Sequence, residues 1–94
     1  MRLYPDEREA LEGALRNVEG EVYLFGSRAH DDRRGGDIDL LVYSKSDPFG
    51  LSRRIVREFQ LRCDERIDVL VVDPAAMTAE QQAFVATLDV VRFR

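Results

Sequence analysis

LFGSRAHDDRRGGDIDLLV (residues 24–42) and IDVLVV (residues 67–72) are the stretches that decide how this chain folds. The first opens on apolar residues, passes a Gly26-Ser27 step and crosses a charged loop containing Gly35 and Gly36. It then enters an apolar run through two carboxylates, Asp37 and Asp39. Residues two apart on a strand share a face, so Asp37 and Asp39 project together with Ile38 opposite. Adjacent carboxylates repel, and burial sharpens the repulsion. Protonation, solvation or a cation must relieve it, and hard oxygen donors suit Mg2+ or Mn2+. The second stretch repeats the pattern: Ile38–Val42 reads IDLLV and Ile67–Val71 reads IDVLV. If the two strands are parallel neighbours in register, Asp68 comes beside Asp39. Three carboxylates then converge at the N-terminal ends of two central strands, an arrangement able to hold two metal ions ~3.5–4 Å apart. Taken alone, an Asp-x-Asp pair is also the ordinary look of a solvated strand entry.

Working outward, residues 5–18 carry a helical signature. Pro5 suits a first turn, Asp6, Glu7 and Glu9 complement the helix dipole, and Leu11, Ala14, Leu15 and Val18 recur at helical spacing before Gly20. EVYLF (residues 21–25) is a short β-branched and aromatic strand broken by Gly26, with a short helical turn after it. Asp47-Pro48 reads as N-cap and first turn of a second helix with the stripe Leu51, Ile55, Val56, Phe59 and Cys63. Thr78 and Gln81 form a capping box for a third helix carrying Phe84, Val85 and Leu88. The tail VVRFR forms a fourth strand at an edge. The order α-β-β-α-β-α-β predicts an α/β (α+β) fold, a small mixed sheet with helices packed on it. The second and third strands are parallel through a helical crossover, and the first and second antiparallel.

The 94 residues suit one compact domain spanning 1–94. The formal charge of −4 disfavours direct binding to a nucleic-acid backbone, although a nucleotide that arrives with a divalent metal brings its own positive charge. No apolar run approaches a membrane span, and the N-terminus lacks a signal-peptide pattern. The single cysteine, Cys63, fits a reducing, cytoplasmic setting and packing as a small apolar residue. Arg53, Arg54 and Arg57 fall off the apolar stripe and read as a solvated helix face. His30 and residues 31–34 read as an exposed loop.

Glycine lets a ligand approach the backbone closely, and backbone N–H groups with the Ser27 hydroxyl can hold phosphate oxygens. Neither a Walker A loop nor a dinucleotide fingerprint occurs. Strand, Gly-Ser, short helix, loop, Asp-x-Asp strand, helix and Asp strand together resemble the minimal nucleotidyltransferase family, a reduced form of the DNA polymerase beta-like nucleotidyltransferase superfamily. The resemblance covers most of the chain. It implies a polymerase beta palm-like fold in which Gly26 and Ser27, with Arg28, bind a nucleoside triphosphate, ATP. It also implies that Asp37 and Asp39 ligate two Mg2+ (or Mn2+) ions and that Asp68 completes the catalytic metal site. The chemistry it implies is transfer of AMP to a hydroxyl with release of pyrophosphate. In such families the partner is often a HEPN-domain toxin, and the resemblance implies an antitoxin that adenylylates it. The alternative is a non-catalytic module that masks its partner by complex formation. The short chain shows little base pocket, so a partner or a second copy would supply the rest. Where relatives commonly read Gly-Ser-Arg-Ala-Arg-Gly, this chain has His30 and Asp31 at the last two positions, and Gly36 precedes Asp37 where serine is frequent. Arg33 or Arg34 would replace the missing arginine.

Overall fold

The structure is a computed structural model and describes residues 1–31 and 36–94. Its elements run α1 (Pro5–Ala14), β1 (Val22–Phe25), a short 3-10 turn (Gly26–Ala29), β2 (Ile38–Tyr43), α2 (Pro48–Gln60), β3 (Ile67–Val72), α3 (Ala79–Ala86) and β4 (Val91–Arg92). The four strands form one mixed sheet in the order β3-β2-β1-β4. β1 is antiparallel to both its neighbours, and β2 runs parallel to β3 across the α2 crossover. This is the small α+β fold the sequence predicts. The position of β3 differs: it lies at an edge and is not central, because β4 adds to β1 on the far side.

The alternation of each strand sorts its two faces. Val22, Leu24, Ile38, Leu40, Val42, Ile67 and Val71 turn to one side and bury against Leu11 and Ala14 of α1 and Leu51, Ile55 and Phe59 of α2. Of the helix residues, Leu11, Ile55 and Phe59 are wholly excluded from solvent, as are Val22, Leu24, Ile38, Leu40 and Val42 of the strands. The residues between them, Tyr23, Phe25, Leu41, Tyr43, Leu70 and Val72, turn to the other side. There the Tyr23 and Tyr43 rings meet edge-on at 5.8 Å. Phe84 of α3 meets Phe25 edge-on at 6.4 Å, although α3 buries none of its residues fully.

Helix starts follow their signals. The Asp47 carboxylate accepts from Gly50 N–H at 3.0 Å, and Thr78 and Gln81 exchange two hydrogen bonds of 3.0 Å. The first helix ends earlier than its periodicity predicts, at Ala14 rather than residue 18. Leu15 and Val18 still enter the core, but through turns whose carbonyls are taken by a side chain. The Arg94 guanidinium donates to Leu15 O at 2.6 Å, to Val18 O, and to Gly20 O at 3.1 Å. That donor lies 79, 76 and 74 residues from the three carbonyls in sequence, so no local rule could have supplied it. Gly20, with φ +105°, follows as the sharp bend into β1. Cys63 packs against the core as an apolar residue.

Candidate active site

The parallel ladder pairs Ile38 with Ile67, Asp39 with Asp68 and Leu40 with Val69. Asp39 and Asp68 are therefore direct neighbours on the face opposite α1 and α2. Asp37, two residues before Asp39, lies on the same side of the chain at the entrance to β2. Asp68 is exposed because its strand is an edge, whereas Asp37 and Asp39 are half-buried. Among the described residues, no hydrogen-bond donor or cation is paired with any of the three. Burial, first, and then the charges of Asp68 and Asp37 push the Asp39 carboxyl above its ordinary value. Among the described residues, nothing supplies the positive charge that a carboxylate so placed demands.

That demand, and an all-oxygen donor set, fit a divalent metal of the hard class. The three side chains are not a finished cage: among the described residues, no group of three His, Cys, Asp or Glu stands close enough to hold an ion as arranged. What is preset is the backbone that carries them.

The Gly-Ser turn is locked to this strand. Gly26 has φ +70°, and a Cβ built on it would come within 2.5 Å of Asp39 Oδ2. Gly36 has φ +84°, and a Cβ there would come within 2.1 Å of Ser27 Oγ. Only glycine permits both the left-handed backbone and the close approach at these two points. The turn that carries Ser27 thus abuts the residue leading into Asp37, and Gly26 abuts the Asp39 carboxylate.

Arg28 is placed differently from the sequence expectation of a nucleotide contact. Its side chain is 2% exposed, and its donors are taken by protein acceptors. Nη1 meets Glu7 Oε1 at 2.6 Å, Nη2 meets Glu7 Oε2 at 2.9 Å, Nε donates to Gly36 O at 3.1 Å and Nη1 reaches Arg2 O at 3.3 Å. Arg28 organises the turn from beneath. Its partner is Glu7, which by sequence alone reads only as an acid complementing the helix dipole. The signal was present, since Glu7, Leu11, Ala14 and Val18 fall on one helical stripe, and a carboxylate on a buried stripe demands a partner. Burial by itself would raise the Glu7 carboxyl. The hydrogen bond from Arg28, that from Tyr4 N–H and the charges of Arg28 and Arg2 hold it below its ordinary value instead.

His30 lies 3.9 Å from Asp89, and the exposed Asp31 carboxylate meets the Met1 ammonium at 2.9 Å. Asp32, Arg33, Arg34 and Gly35, including the two arginines expected to replace the missing one, lie outside the described residues. Arg53, Arg54 and Arg57 are exposed along α2. Among the described residues, no helix is long and apolar enough to cross a membrane.

A four-stranded mixed sheet that sets paired carboxylates beside a Gly-Ser turn, with helices on the opposite face, is the layout of a nucleotidyltransferase domain. The family model described as polymerase beta, nucleotidyltransferase matches residues 15–89, well over half of the chain, and the chain belongs to that family. No curated protein matches it in sequence.

Proposed function

We propose that this protein transfers AMP from ATP to a hydroxyl group on a protein partner, releasing pyrophosphate. The observation that carries the reading is the in-register pairing of Asp39 with Asp68, with Gly26 packed against Asp39. Membership in the nucleotidyltransferase family supports the reaction type. The resemblance of the Gly-Ser and Asp-x-Asp segments to minimal nucleotidyltransferases supports a HEPN-type toxin as acceptor and an antitoxin role.

In this reading Asp37, Asp39 and Asp68 hold one or two divalent ions, Mg2+ or Mn2+. Bound there, such ions lower the pKa of the acceptor hydroxyl and neutralise charge building on the phosphate oxygens. The Ser27 hydroxyl and the backbone N–H groups of Gly26 and Ser27 orient the β- and γ-phosphates. The exposure of Asp68 at the sheet edge leaves room for an acceptor hydroxyl to approach from solvent. Incubation with Mg2+, labelled ATP and the co-purified partner tests the reaction. An AMP-sized mass increment on a partner hydroxyl is expected, and no increment with any nucleotide or partner would refute it.

One observation favours a second reading, a module that neutralises its partner by binding alone. Among the described residues, the carboxylates do not form a ready metal cage. The double variant Asp37→Asn/Asp39→Asn separates the two. Neutralisation that survives in it supports masking; neutralisation lost while the complex still forms supports transfer.

A further inference from the structure

Glu7 belongs to none of the motifs that mark the site, and it lies 21 residues from Arg28 in sequence. It is nonetheless 3% exposed, and both its carboxylate oxygens are committed to the Arg28 guanidinium. A buried ion pair is a poor device for stability, since desolvation of the two charges offsets most of their attraction. What it supplies is geometry: a planar fork gripped at two points has one orientation.

That orientation fixes three segments at once. Tyr4 N–H donates to Glu7 Oε1 at 2.9 Å, which anchors the first turn of α1. Arg28 Nε holds Gly36 O at 3.1 Å, one residue before Asp37. The Arg28 backbone carbonyl accepts from Arg2 N–H at 2.8 Å, which pins the 3-10 turn itself. Ser27 abuts Gly36, and Gly26 abuts Asp39, so the turn has no slack of its own. A shift of the guanidinium would carry Ser27 and Gly36 together relative to Asp39.

We infer that Glu7 is a positioning residue of the nucleotide site: acting through Arg28, it sets the aim of the Gly26-Ser27 turn at the terminal phosphates of a nucleoside triphosphate. The inference rests on the proposed reading of that turn as the phosphate holder. It makes the base of α1, which supplies none of the three carboxylates of the site, a determinant of triphosphate affinity. Because the turn touches only the terminal phosphates, the effect falls on the preference for ATP over AMP.

The test measures Kd for ATP and for AMP, each with Mg2+, by calorimetric titration of the full chain. It compares the wild type, Glu7→Gln and the apolar pair Glu7→Met/Arg28→Leu, below the melting temperature of each as read by circular dichroism. Glu7→Gln keeps the side chain's shape and removes its charge. The apolar pair removes both buried charges, so no unpaired arginine remains to unfold the domain. The ratio of the two Kd values is expected to contract about tenfold in both variants, the loss of one good phosphate contact, while AMP binding stays near wild type. A ratio unchanged in a folded variant overturns the inference. Failure of both variants to fold also overturns it, because the pair would then serve the fold and not the aim of the turn. A wild type that binds ATP no better than AMP instead refutes the phosphate-holding role of Gly26 and Ser27, which separates that failure from this one.

Discussion

Gly26 stands so close to Asp39 that a single added methyl group would lie 2.5 Å from the carboxylate oxygen. The first loop of the site and its half-buried carboxylate therefore share one packing surface, and neither moves independently. Gly26 also sits at φ +70°, where an L-residue is strained. Gly26→Ala should cost about 1–2 kcal/mol from the left-handed backbone alone, and more from the clash. The expected result is a lowered thermal midpoint together with loss of transfer activity, because Asp39 must yield to the new methyl group. A variant that melts lower but transfers normally would show that the close approach serves packing only.

On the proposed reading, Asp39 carries a charge that a bound metal would stabilise. Burial and two neighbouring carboxylates make its charge unfavourable in the metal-free protein. Asp39→Asn removes that charge at nearly constant shape, so the metal-free variant should melt a few degrees above the metal-free wild type. Added Mg2+ or Mn2+ should reverse the order. At one hundred times its Kd, an ion that binds only the folded state contributes about 2.7 kcal/mol, and the variant should gain little of it. Melting curves with and without metal check both halves. Equal responses of the two proteins to metal would remove Asp39 from the proposed ligand set.

The parts of this arrangement that were legible in the sequence are those written in local pattern. The repeat of Ile-Asp-apolar at Ile38 and Ile67 fixed which face each carboxylate takes, and a helix between the strands fixed their parallel sense. With the strands in register, as the structure has them, these place Asp39 beside Asp68. The place of β3 at the edge was not legible, because it depends on β4, a strand of two residues paired to β1 through Tyr23 and Leu24. Nor was the end of α1, which is set by the distant Arg94 side chain. The burial of Arg28 was hidden for a further reason. A motif position says that an arginine is needed, but only the three-dimensional position of Glu7 says on which side of the turn it is needed.

The Glu7–Arg28 pair gives the fold a defined acid sensitivity. The folded state holds the Glu7 carboxyl below its ordinary value of 4.5. The unfolded chain therefore takes up this proton first as the pH falls. The pair's contribution is fully present above the ordinary glutamate range and drains away as the pH drops through the lower folded-state value. At pH 7 Glu7→Gln should lose up to about 3 kcal/mol, since it leaves the buried guanidinium with only the partly exposed Glu65 carboxylate, 3.8 Å away, as a counter-charge. In strong acid the gap between variant and wild type should close. Denaturant unfolding of both proteins at neutral and acid pH measures it. A gap that stays constant with pH would mean that the charge on Glu7 is irrelevant to stability.

Arg94 offers the complementary case, a side chain that matters to the fold and not to the chemistry. Its guanidinium donates to the carbonyls of Leu15, Val18 and Gly20 in the turns beyond the early end of α1, where Leu15 O also accepts from Val18 N–H at 3.0 Å. It also holds the connection into β1, whose Val22 N–H donates to Arg94 O at 3.0 Å. Arg94→Ala should leave that backbone bond in place and remove the three side-chain donations. Charge-assisted hydrogen bonds to partly buried carbonyls are worth about 1.5–3 kcal/mol each when lost without replacement. Water reaches the exposed rim of this site, so a total near about 2 kcal/mol is expected. The site lies at the opposite end of β1 from Gly26, so ATP affinity and transfer rate at low temperature should match the wild type. A lower unfolding midpoint with unchanged kinetics is the predicted signature, and a parallel loss of activity well below the melting temperature would couple this end of the sheet to the active site.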